Sequence, residues 1–91
     1  MCWSNLGENV NLSHMQDQQY RQALGDAIRE LRLKNGYTQE DAAHNADLHV
    51  NYFAGIERAE INTSIAKLLV IAEALDTTPA KLLLLAEEKI I

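Results

Sequence analysis

Cys2, His14, His44 and His49 are the side chains best suited to hold a transition metal, and their spacing forms no ligand pattern. A single cysteine can build neither a thiolate cluster nor a disulfide framework, and a reducing compartment is its simplest setting. Ser, His and Asp residues are scattered, and none stands where a nucleophile would meet its base. No glycine-rich loop is present to cradle a nucleotide phosphate. No metal, no cofactor and no enzymatic activity are therefore expected. What is left is hydrogen bonding by amide and hydroxyl side chains, and the elements that carry them decide its use.

The chain has 91 residues, enough for one compact domain and too few for a two-domain enzyme. Hydrophobic residues make up 47%, with four glycines and one proline, which suits packed helices better than turn-rich sheets. No apolar run approaches the roughly 20 residues that cross a bilayer, and residues 1–19 lack the basic start and apolar centre of a secretory signal. A cytoplasmic protein without a membrane partner is expected. Residues 1–19, rich in Asn, Ser and Gln, are expected to be a flexible tail in which Met15 offers a second start point. Residues 20–91 form the expected domain. The formal charge is −5, and residues 20–91 hold all eight basic residues with eleven of the thirteen acids. A protein that grips polyanions indiscriminately needs the opposite balance.

Five helices follow from the spacing. Tyr20, Leu24, Ala27, Ile28 and Leu31 share one face of a helix ending at Lys34, and Asn35-Gly36 supplies a left-handed stop. Thr38 caps a second helix, about Gln39 to Asn45, with Glu40 and Asp41 in the dipole-favoured first turn. Its inward residues, Ala42, Ala43 and Ala46, allow a neighbouring backbone to come close. Asp47 tolerates the positive φ of a tight turn. His49 then caps a third helix that ends near Arg58, with Phe53 and Ile56 inward and Val50, Asn51, Ala54 and Gly55 outward. Ser64 caps a fourth, whose core face is Ile65, Leu68, Leu69, Ala72 and Leu75. Thr78 and Pro79 open a fifth. Its run Leu82-Leu83-Leu84-Leu85, with Ile90, exceeds one core stripe, so these residues are assigned either to a well-buried terminal helix or to a homodimer interface, the second being preferred.

Two short helices joined by a tight turn and clamped through alanines, Phe53 and Ile56 describe a helix-turn-helix. Its second helix, about residues 49–58, is free to enter a major groove, and the first helix points its N-terminus at the backbone. Leu24 to Leu85 resembles a lambda-repressor-like, or Xre-type, helix-turn-helix domain. The resemblance rests on Ala27-Ile28-Arg29-Glu30-Leu31-Arg32, Gly36-Tyr37-Thr38-Gln39-Glu40-Asp41, Gly55-Ile56-Glu57-Arg58 and Leu69-Val70-Ile71-Ala72-Glu73-Ala74-Leu75. Within that family, Ala46-Asp47-Leu48-His49 and Asn51 to Arg58 are similar to the controller proteins of restriction-modification systems. An all-α, compact five-helix fold is implied, as is a dimeric regulator of double-stranded DNA.

The resemblance also implies roles. Gln39 would bond a backbone phosphate, as would Asn62 in the loop after the third helix. Asn51 would read a base, because its amide can pair bidentately with adenine. Val50 can touch only a thymine methyl, Gly55 lends no side chain, and His49 and Tyr52 are either backbone contacts or structural. Arg32 and Glu57 match a structural pair between the first and third helices. Many relatives carry Arg where Val50 and Ile61 stand, and Gly where Asp47 and Ala59 stand, so two cationic contacts are missing and the end of the third helix is expected to be altered. That uncharged surface motivates an alternative, an antitoxin-like or adaptor module with weak or no DNA binding. A stoichiometric protein partner on the third helix would favour it.

Overall fold

The computed structural model describes residues 10–90, with side-chain surroundings from Asp17 onward. The described residues form five helices: α1 (Val10–Lys34), α2 (Gln39–Asn45), α3 (Val50–Glu57), α4 (Ile65–Ala74) and α5 (Pro79–Ile90). α1 begins ten residues ahead of Tyr20, where apolar spacing places its start. Asp17, Gln18 and Gln19 are exposed, so these three residues are held in the helix by propensity and the absence of Gly or Pro rather than by a core face. Residues 1–9 of the expected tail lie outside the described residues.

Each of the first four helices ends in the same way. Tyr37 N–H reaches Arg32 C=O and Gly36 N–H reaches Leu33 C=O, both at 3.0 Å, the paired bonds of a Schellman motif. Leu48 to Ala43 with Asp47 to His44, Glu60 to Gly55 with Ala59 to Ile56, and Thr77 to Ala72 with Asp76 to Glu73 repeat it. The residue at the left-handed position is Gly36 (φ 76°), Asp47 (57°), Ala59 (61°) and Asp76 (59°). Ala59 thus holds the left-handed position without a glycine. The starts are equally regular, since Thr38, His49, Ser64 and Thr78 each accept a bond from an N–H of their own helix.

Phe53, Ile28, Ile71, Leu75 and Leu82 are the largest fully buried side chains. Ala42 and Ala43, also buried, let α2 lie close to its neighbours. α1 and α5 share the most extensive helix pairing. It is bordered by Tyr20 Oη, which stands 3.3 Å from the Leu83 carbonyl and 3.2 Å from Glu87 Oε2, and by the Lys89–Glu30 ion pair at 2.6 Å.

Three sequence-based expectations are corrected by this packing. The core stripe of α4 is Leu68, Ile71, Ala72 and Leu75, whereas Ile65 (74% exposed) and Leu69 (50%) face water. Ala54 and Gly55 are buried, not outward. Leu82 cannot serve a dimer surface, because with Ala86 it fills the core. Leu83, Leu85 and Ile90 are half-buried against that core, and Leu84 alone of the expected leucines is exposed. α1 packs along α5 and leaves Leu84 in water.

Candidate nucleic-acid interface

His49 Nδ1 accepts the backbone N–H of Asn51 at 3.1 Å, an N-cap made by a ring rather than by a hydroxyl or carboxylate. Accepting at Nδ1 leaves the proton of the neutral imidazole on Nε2, a donor free to face outward. The cap fixes the first turn of α3 and displays the Asn51 side chain in solvent. Val50 is half-buried and, with Leu33, Tyr37, Thr38 and Gln39, lines an open groove of about 590 Å³ between α1, α2 and α3. Tyr52 is half-buried against the core. Gly55 lies beneath Ile61, whose Cγ1 would stand 2.8 Å from a Cβ placed there, so its backbone is shielded from any ligand.

Behind this edge lies a charged network. Arg32 and Glu57, each under a tenth exposed, form a forked pair, with Nε to Oε2 at 2.6 Å and Nη2 to Oε1 at 3.3 Å. Arg32 Nη1 also donates to the Tyr37 carbonyl at 3.0 Å, tying α1 to the loop before α2. Gln39 Nε2 donates to Glu57 Oε1 at 3.1 Å. One carboxylate therefore holds both the helix pairing and the amide at the start of α2. The second Nε2 proton of Gln39 and its Oε1 remain for a ligand.

Asn62 is exposed on the α3–α4 loop, and its Oδ1 accepts a 2.7 Å bond from Arg21 Nη1. Sequence reasoning singled out Arg32 and missed the other three arginines. Arg29, Arg32 and Arg58 line one groove of about 460 Å³ with Gln39, alongside the carboxylates of Asp26, Glu57 and Glu60, and the fourth arginine, Arg21, bonds the next loop. Arg58 is paired with Glu60 at 3.1 Å, while Arg29 enters no ion pair among the described residues. Helical spacing was the available signal, since positions 21, 29 and 32 fall within one side of a 3.6-residue helix. Net charge concealed it.

Two short helices, α2 and α3, set across a left-handed turn at Asp47 have the arrangement of a helix-turn-helix. The helix-turn-helix family matches residues 28–82, an interval containing all of α2, α3 and α4. The chain belongs to the Xre-type helix-turn-helix family. Within that family it is similar to the control protein C.SmaI of Serratia marcescens, at 35% identity over 63 residues, 69% of this chain and 75% of that one. To the control protein C.BamHI of Bacillus amyloliquefaciens it is 38% identical over 64 residues, covering 69% and 79%. The crystal structure of the restriction-modification controller protein C.AhdI from Aeromonas hydrophila superposes with a TM-score of 0.66 and 38% identity, covering 67% of this chain and 92% of that one. The fold is the lambda-repressor-like one of this helix-turn-helix family, and these relatives are named as controllers rather than enzymes.

Proposed function

We propose that this chain is a sequence-specific transcriptional regulator of the restriction-modification controller type, which binds operator DNA as a homodimer with α3 in the major groove. The exposed Asn51 amide on the capped first turn of α3 carries this reading. Gln39, on its Glu57 tether, is assigned to a backbone phosphate, and Asn51 to a base edge. His49 Nε2 and the Val50 methyls flank Asn51 and are assigned to the same groove.

The homodimer is assigned to Ile65 and Leu69, one turn apart on α4, with Leu84 of α5, because these side chains are left largely in water. Two-fold pairing would set the two α3 helices against half-sites about one helical turn apart. A selection from random duplexes, followed by a gel-shift titration, tests the reading. Enrichment of a two-fold symmetric site, and its loss with Asn51→Ala, is the expected result. A folded dimer that enriches no duplex at low salt overturns it.

A further inference from the structure

Arg21 lies upstream of the matched helix-turn-helix interval, yet its guanidinium reaches the loop after α3. Nη1 bonds Asn62 Oδ1 at 2.7 Å, and this decides the amide's orientation: the oxygen is turned to the cation, leaving both Nδ2 protons for another acceptor. Arg21 Nε is buried and has no hydrogen-bond partner, and its closest carboxylate partner, Asp17 Oδ2, stands at 3.6 Å. The guanidinium is therefore held at its Asn62 end. Asn62 is exposed on the α3–α4 loop, directly after the α3 helix whose Glu57 holds Gln39 at the α2 terminus, so the Arg21–Asn62 pair stands on the loop that follows the two-helix unit.

We propose that Arg21 is a positioning residue for a DNA phosphate, holding the Asn62 carbonyl oxygen so that its amide protons and the adjacent positive charge meet one phosphate oxygen. This rests on the DNA-binding reading above. It also gives the acidic chain a backbone cation from α1 in place of one from the recognition helix.

The test uses the full chain and the duplex enriched by selection, so that failure to enrich any duplex rejects DNA binding before Arg21 is questioned. Arg21→Ala should weaken binding on the order of tenfold, the loss expected for a charge-assisted hydrogen bond. It should also flatten the log Kd against log salt slope by about 0.9, one counterion. Asn62→Ala should cause a similar loss with Arg21 present and none in the Arg21→Ala background. Asp17→Asn, which releases the guanidinium from its competing carboxylate, should tighten binding and guards against a variant that merely unfolds. Thermal unfolding of each variant should be unchanged. Wild-type affinity of Arg21→Ala, independent losses in the double variant, or an unaltered salt slope overturns the proposal.

Discussion

Arg32 and Glu57 set the largest single-residue effect. Removing Arg32 leaves a carboxylate buried with only Gln39 beside it, and breaking such a pair from one side costs about 3–5 kcal/mol. Arg32→Ala should show this in urea unfolding, whereas Arg32→Met with Glu57→Leu should recover most of it, since two apolar groups need no partner. Asn51→Ala belongs at the other extreme. It should leave unfolding unchanged and erase about 1–3 kcal/mol of discrimination between the selected duplex and its single-base variants. Tyr20 gives a pH signature. Burial, then the hydrogen bond and the charge of Glu87, hold its phenol above the ordinary value of 10.0. A raised acid of this kind stabilises the fold fully below pH 10.0, and the contribution is lost as pH rises through its folded-state value. Alkaline titration followed by circular dichroism should unfold the parent earlier, relative to its neutral-pH stability, than Tyr20→Phe.

At the scale of elements, four consecutive Schellman endings share one backbone geometry but only the first has glycine. Ala59 bears the steric cost of a left-handed residue, about 1 kcal/mol, and lacks the short polar side chain that eases it at Asp47 and Asp76. Ala59→Gly should raise the midpoint of denaturation by a corresponding amount. The helices themselves were legible in the sequence because caps, stops and apolar spacing agree: α2 to α5 start behind Thr38, His49, Ser64 and Thr78 as read. Facing was less legible. Ile65 and Leu69 fit an apolar stripe as well as Leu68 and Ile71 do, and only the angle at which α4 meets its neighbours separates them. Gly55 was invisible for a related reason, since the Ile61 side chain that covers it comes from beyond the end of the helix. The tether from Gln39 to Glu57 joins residues eighteen apart, and no local pattern reports it.

For the whole molecule, charge and shape point to a selective rather than a tenacious binder. With a formal −5 and four of its eight basic residues, Arg21, Arg32, Arg58 and Lys89, already paired with carboxylates, the protein should lose affinity with salt less steeply than a basic repressor of equal size. A binding series between low and physiological salt measures this. The exposed apolar residues on α4 make the oligomer equally testable: Leu69→Glu places a charge on the proposed two-fold contact and should yield monomers in sedimentation velocity while preserving helicity. Weaker operator binding should follow, because each half-site would then be filled separately.

The bond from Gln39 to Glu57 also has a calorimetric consequence. A free glutamine side chain must surrender several torsional states when it docks, but this one is restrained before DNA arrives. Contact at α2 should therefore register as heat released with little loss of disorder, whereas a Glu57→Leu chain carrying Arg32→Met would show the same contact with a larger entropic penalty. On the proposed reading, in which Gln39 meets a phosphate, the core ion pair would set the balance of enthalpy and entropy at that contact.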